Sequence, residues 1–193
     1  KRGYAGAMRV GMIGYGRVGQ AVATLLERRR ADYEERLGEP IELDSVLVRD
    51  TLRPRDTPLP EGVHYTDEEK DFLERAHDIV VECAGGTHAL WGVVERCVRA
   101  GRDVVTSNQS LLAARAHELF ALAEEHRVRI GYESALVGSV ALVAALERAL
   151  GASDVHEFAG LLSATCNDVL TRTESDDTSM SEAIGAAERA GIT

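Results

Sequence analysis

Gly14, Gly16 and Gly19 stand in G-x-G-x-x-G spacing, between a short apolar run from Arg9 to Ile13 and an amphipathic stretch from Gln20 to about Leu37. A strand, a glycine turn and a helix in that order present backbone N–H groups at a helix N-terminus, where a pyrophosphate can sit. Gly14 permits the tight turn, Gly16 leaves room for a dinucleotide, and Gly19 lets the helix lie close to the strand. Arg17 and Val18, between the glycines, belong to the same candidate cofactor loop. A glycine-rich turn of some other α/β protein is the plain alternative.

Charge follows the next strand. Ile41 to Val48 is apolar in character, and Arg49 and Asp50 close it, with Arg53 and Arg55 on either side of Pro54. In a dinucleotide fold this position meets the adenosine ribose. A carboxylate there favours NAD, and an arginine favours the 2′-phosphate of NADP. The two are adjacent here, and the local density of cations in an acidic protein tilts the reading toward NADP, with NAD or a merely solvated loop as alternatives. Gly85 and Gly86 follow the strand Ile79 to Cys83, and the polar turn Thr106, Ser107, Asn108 follows the strand Asp103 to Val105. Gly85, Gly86, Thr106 and Asn108 complete the candidate cofactor contacts with Arg49, Asp50 and Arg53.

The elements that must position these residues alternate strictly. Gln20 to Leu37 reads as one long helix ended by Gly38 and Pro40. Thr66 reads as an N-cap for Asp67 to Arg75, with Glu69 at the capping-box position. Thr87 to Ala100 and Leu111 to His126 read as helices, the latter with Leu112, Ala116, Leu119, Phe120 and Ala123 facing inward. Val128 to Tyr132 is the last strand of the series, with Glu133 at its end. Such alternation predicts a parallel sheet with helices on both faces. After Glu133 the pattern changes to an alanine-rich helix from Val137 to Leu150, opened by Gly138 and Ser139. A strand from Asp154 to Leu162 in a separate sheet follows, then a short helix beginning at Asn167 to Leu170. A helix from Ser179 to Ala190 ends at Gly191. The expected fold class is α/β, a Rossmann-type doubly wound parallel sheet over residues 8–132, followed by the start of an α+β domain over 133–193.

The chain of 193 residues carries 32 acidic and 22 basic residues, a net charge of −10. That balance argues against nucleic acid or an anionic membrane as partner and leaves a small molecule as the natural one. Cys83, Cys97 and Cys166 show neither a disulfide framework nor zinc spacing, which reads as a reducing, cytoplasmic setting. No signal peptide or apolar run of membrane-spanning length is found in the sequence. Met8 reads as a start methionine preceded by added residues.

Several motifs in order resemble homoserine dehydrogenase, the NAD(P)-dependent family that interconverts aspartate semialdehyde and homoserine. Beyond the glycine fingerprint these are Val48 to Asp50 with Arg53, Pro54 and Arg55, and Glu82 with Gly85 and Gly86. VVTSNQSLL at Val104 to Leu112 is similar to the family's VVTANKALL, Tyr132 and Glu133 to its Tyr-Glu pair, and GLLSATCNDVL at Gly160 to Leu170 to its GILNGTTNYIL. The likeness takes in the nucleotide domain and only the start of the catalytic domain. It implies NADP or NAD as cofactor, a homodimer formed through the catalytic domain, and Glu133 beside a cation-binding loop, hence a candidate metal residue.

The departures bear on catalysis. The family's lysine for substrate binding and proton transfer is Gln109 here, and its tyrosine is Asp168. Glutamine can hydrogen-bond a substrate but cannot serve as a general acid near neutral pH. Gln109, Glu133 and Asp168 are therefore the candidate catalytic residues, with Cys166 as a new group in the same segment. An acidic substrate-binding segment with a second lysine would follow Gly191 in the family. Two functions fit: an oxidoreductase acting on homoserine, aspartate semialdehyde or a related amino-acid alcohol or aldehyde, or a catalytically inactive nucleotide-binding or regulatory homologue.

Overall fold

A computed structural model describes residues 6–86, 88–136, 142–151, 153–154, 156–157, 159–175 and 178–191. The chain divides into two compact units, Lys1–Ala135 and Leu136–Thr193.

In the first unit β1 (Met8–Ile13), β2 (Ile41–Leu47), β3 (His64–Thr66), β4 (Ile79–Glu82), β5 (Asp103–Thr106) and β6 (Ile130–Gly131) form one sheet. Every pairing is parallel, and the order is β3-β2-β1-β4-β5-β6. The helices are α1 (Arg17–Arg28), α2 (Arg30–Leu37), α3 (Glu69–Glu74), α4 (His88–Arg99), α5 (Gln109–His126) and the short α6 (Glu133–Leu136). This is a doubly wound sheet. The winding reverses between β1 and β4, so the crevice at their carboxyl ends is the place where such sheets take ligands.

The strands are apolar on both sides because both faces are covered. Met12, Tyr15, Ala23, Val46 and Val48 pack on the α1 face. Ile13, Phe72, Val80, Val94, Val104, Leu111 and Leu119 form the larger core under α3, α4 and α5.

Three local expectations differ from the structure. The single helix from Gln20 to Leu37 is two helices that break at Arg29, where φ is −109° and ψ 20°. No residue of α2 is buried, so no core side chain holds that charged segment in line with α1. Thr66 does not cap a helix. It ends β3, its carbonyl accepts the Val48 N–H at 2.9 Å, and its hydroxyl accepts the Glu68 N–H at 3.1 Å. Helix α3 starts only at Glu69, with Glu68 as its N-cap. Pairing with β2 takes the residue that local chemistry offered to the helix. Phe120 is not an inner residue: it is 38% exposed and lies edge-on to Tyr132. Arg115 has non-helical φ of −140°, and the kink rotates the later turns so that Leu119, Leu122 and Ala123 face the core.

In the second unit the structure shows α7 (Leu142–Ala149), α8 (Ala164–Ser175) and α9 (Met180–Ala190). The α8–α9 pair shares a small core of Val169, Ala183 and Ala187. Ser179 and Glu182 cap α9 reciprocally, and Gly191 ends it at φ 70°. The strand expected from Asp154 to Leu162 is absent among the described residues, and Leu161 and Leu162 are exposed. A strand exists through its ladder, and the described residues of this unit offer no partner strand. Helix α8 starts earlier and runs longer than the short helix read from Asn167. Gly138 and Ser139 lie outside the described residues. Among the described residues no helix is long and apolar enough to cross a membrane.

A buried polar cluster lies where β2 meets the turn before β4. The Asp44 carboxylate pairs with Arg9 and, at 2.6 Å, with Arg75. His77 lies beside it, with Nε2 2.8 Å from Ser45 Oγ and Nδ1 3.2 Å from Arg102 Nη1. Guanidinium only donates, so Nδ1 accepts and the proton sits on Nε2, which makes His77 neutral. Burial, aided by the charge of Arg102, holds His77 down to about 4. Burial would raise Asp44, but hydrogen bonds from Arg75 and Arg9 and their charges outweigh it and hold the carboxyl well below the usual range.

Both shifts act in the same direction. Between pH 6.5 and about 4 the unfolded chain takes up a proton at His77 that the folded chain refuses, so stability falls as pH falls. The loss amounts to about 3 kcal/mol over that window. Asp44 adds a further loss once the pH drops below about 4, where the unfolded carboxylate protonates first. Thermal melting at pH 7.5 and pH 4.5 should show this decline. His77→Gln, which can accept from Arg102 and donate to Ser45 without titrating, should flatten it. An equal decline in the variant would place the proton uptake elsewhere.

Candidate functional site

The glycine turn joins β1 to α1 at the crevice. Gly14 has φ 93°, and a Cβ there would come within 2.7 Å of the Ala84 backbone. A Cβ on Gly19 would overlap the Gly14 carbonyl oxygen, so helix and turn touch backbone to backbone. Around Gly16 a Cβ would meet nothing within 4 Å. Gly16 is the N-cap of α1 and supplies no side-chain cap, and the first turn holds no acidic residue. The leading N–H groups and the positive end of the helix dipole are thus left to an anion. Tyr15 does not close the loop: it is 1% exposed, and its hydroxyl donates to Pro58 O at 3.0 Å. Arg17 and Val18 are exposed beside the turn.

The segment after β2 is tied to this turn. Gln20 donates to Tyr15 O at 3.2 Å and accepts the Thr57 N–H at 2.8 Å. Arg55 donates from Nε to Tyr65 Oη at 3.1 Å, from Nη1 to Tyr15 O at 3.2 Å and from Nη2 to Asp50 O at 3.2 Å. Asp50 turns the chain by accepting the Leu52 N–H at 2.8 Å. Arg49 and Arg53 are exposed and form no ion pair among the described residues. The two nearby arginines of the same charge therefore divide from the third: Arg55 is committed to protein acceptors, and Arg49 and Arg53 are open to solvent.

Across the crevice the turn after β4 is pinned at both ends. Glu82 is 0% exposed. Its Oε1 accepts the N–H groups of Ala84 at 2.9 Å and Gly85 at 3.2 Å, and its Oε2 accepts the Thr106 hydroxyl at 2.6 Å. Thr106 Oγ1 in turn accepts the Asn108 N–H at 3.0 Å. Asn108 donates from Nδ2 to Gly86 O at 2.6 Å, and its Oδ1 caps α5 through the Leu111 N–H at 3.0 Å. Gly85 and Gly86 hold φ of 69° and 93° on this frame. Thr106 and Asn108 are almost fully buried, and the bonds just described engage both side chains. Sequence reasoning noted Glu82 only within a motif and missed its tether. The available signal was a charged residue inside the apolar run Ile79 to Cys83, because carboxylates are rarely buried without partners. Cys83, next in the chain, has its thiol pushed up to about 11 by burial and by the Glu82 charge, so it is no thiolate at neutral pH.

Of the candidate catalytic residues, Gln109 is the exposed first residue of α5, and Glu133 is the half-buried first residue of α6. Both belong to the first unit. Asp168 belongs to the second, on α8, where its carboxylate accepts from Arg172 Nε at 2.7 Å. Cys166 is exposed on the same helix. Among the described residues no group of three or more His, Cys, Asp or Glu side chains is placed to hold a metal ion.

Residues 14–133 match the family model described as "Homoserine dehydrogenase, NAD binding domain". The chain belongs to the homoserine dehydrogenase family. The homoserine dehydrogenase of Corynebacterium glutamicum is 31% identical over 191 residues, which cover 98% of this chain and 42% of that protein. That of Bacillus subtilis is 28% identical over 187 residues, 96% of this chain and 43% of the relative. The crystal structure of a homoserine dehydrogenase from Thiobacillus denitrificans superposes with a TM-score of 0.85 at 28% identity, over 97% of this chain and 43% of that one. The chain thus spans less than half the length of the homoserine dehydrogenases it matches.

Proposed function

We propose that this chain forms the nucleotide-binding part of an NAD(P)-dependent oxidoreductase, with NADP preferred, acting on homoserine, aspartate semialdehyde or a related amino-acid alcohol or aldehyde. The observation that carries the cofactor reading is the pairing of an open, uncapped helix start at Gly16 with the unpaired guanidinium groups of Arg49 and Arg53. Arginine suits a dianionic phosphate through its planar fork of donors. When bound, the nicotinamide would supply hydride transfer to or from the substrate carbon. The turn of Gly85 and Gly86 and the α5 start with Gln109 would orient the reactants. Gln109 would hold a substrate oxygen by a hydrogen bond without exchanging its proton. Glu133 is the ionisable candidate for that proton in the first unit, and Asp168 the one in the second. The second unit would pair with a second copy through α7, whose described side chains include none that is fully buried.

Titration calorimetry with NADPH and NADH tests the cofactor reading. Tighter NADPH binding is expected, and Arg49→Ala should weaken NADPH about tenfold or more while changing NADH little. Equal weakening of both would remove the phosphate role. A second reading, a nucleotide-binding homologue without catalysis, is favoured by Gln109 in the lysine's place. It would be supported by NADPH binding with no NADP-dependent oxidation of homoserine or its analogues, and sunk by turnover.

A further inference from the structure

We infer that Arg55 is a positioning residue for cofactor selection: it binds no phosphate itself but fastens the loop of Arg49 and Arg53 to the glycine turn. The inference rests on the dinucleotide reading above and assigns different work to three arginines that look alike in the sequence.

Each of the three guanidinium nitrogens of Arg55 already donates to a protein oxygen. The acceptors sit on three separate elements: Tyr65 Oη on β3, Tyr15 O in the glycine turn, and Asp50 O in the loop itself. Three of its five N–H donors are thus spent on the protein, and turning the group to grip a phosphate would strip those oxygens of a charged donor. Arg49 and Arg53 have no such commitments, so the phosphate contacts fall to them. Their loop is otherwise held by two bonds to the neighbourhood of the turn, Gln20 Oε1 to the Thr57 N–H and Tyr15 Oη to Pro58 O. Both lie beyond Arg55 in the chain, on its C-terminal side. Before the loop, β2 meets the turn directly, with Leu47 O accepting the Gly14 N–H at 2.8 Å; between that anchor and Thr57 the bonds that tie the loop to the turn are those of Arg55. The carbonyl of Asp50, next to Arg49, is its direct handle on that side.

Orientation fixed before binding lowers the entropy cost of gripping a ligand. Arg55 should therefore matter most for a ligand that uses Arg49 and Arg53, and its effect should vanish when those side chains are gone. Lysine cannot replace it, because an ammonium on a flexible stem cannot span three acceptors in one plane.

The test compares adenosine 2′,5′-bisphosphate with 5′-AMP as probes, in four forms of the intact protein. These are the parent, Arg55→Lys, the double variant Arg49→Ala/Arg53→Ala, and the triple variant combining them. Arg55→Lys should weaken the bisphosphate about tenfold and 5′-AMP less than about threefold, and should cost almost nothing further in the Arg49→Ala/Arg53→Ala background. Amide exchange at Leu52 and Thr57 should speed up in Arg55→Lys while the strand amides of β1 stay protected, which separates a loosened loop from a misfolded protein. An equal loss in both backgrounds would make Arg55 an independent phosphate ligand and overturn the inference. So would unchanged affinity in Arg55→Lys. If the parent binds neither probe nor either dinucleotide, the dinucleotide reading itself falls and takes this inference with it. If the parent binds and Arg55→Lys behaves like the parent, only this inference falls.

Discussion

Replacing Glu82 with alanine is expected to cost about 3 kcal/mol of stability, a fall in melting temperature on the order of 10 °C, together with most of the nucleotide affinity. The carboxylate is fully buried and serves three donors, the Ala84 and Gly85 amides and the Thr106 hydroxyl. Alanine leaves all three without an acceptor in a place that water does not reach, and an unmade buried bond costs more than a made one gains. The damage spreads, because Thr106 also receives the Asn108 amide, and Asn108 both holds Gly86 and caps α5. Glu82→Gln provides the graded comparison. Its carbonyl can still accept the two turn amides, and its NH₂ can donate to Thr106 Oγ, so only the threonine proton loses its acceptor. About 1 kcal/mol is expected there. Thermal melts of both variants and NADPH titrations check the pair. An unchanged melt for Glu82→Ala would show that the turn amides find other acceptors.

Gly19→Ala is the second large effect. One methyl group at Gly19 overlaps the Gly14 carbonyl oxygen and presses on Met12 Sδ at 3.2 Å. The first neighbour is backbone in a tight turn, and it yields only if α1 moves off the strand. Overpacking of this kind costs about 2–3 kcal/mol. The same displacement carries the α1 N-terminus away from the phosphate position. Gly16→Ala is the matched control. Its methyl would meet no protein atom, and the backbone at φ −82° suits any residue. That variant should melt like the parent and yet bind NADPH at least about tenfold more weakly if the pyrophosphate passes over Gly16. Equal binding by Gly16→Ala and the parent would mean that no ligand passes there.

Much of this was legible in the chain itself. The spacing of Gly14, Gly16 and Gly19 depends only on near neighbours, and so does the alternation of apolar runs with amphipathic segments. Those patterns sufficed for a parallel sheet and for the place of its crevice. The failures have one cause. Thr66 carries a good capping side chain, and Gln20 to Leu37 carries good helical spacing, but sheet pairing with β2 claimed the first, and the second, with no buried residue beyond Arg28, broke at Arg29. The strand read at Asp154 to Leu162 is absent among the described residues, which offer it no partner strand.

Local spacing and composition along the chain point to the family, the doubly wound sheet and the residues from which a nucleotide site would be built. How those residues divide their work depends on contacts between distant positions. Arg55 finds Tyr15 O across 40 positions, and Glu82 finds Thr106 across 24. A charged side chain becomes a tether or a free hand according to which acceptors the fold brings within 3 Å or so, and no local pattern along the chain records that distance.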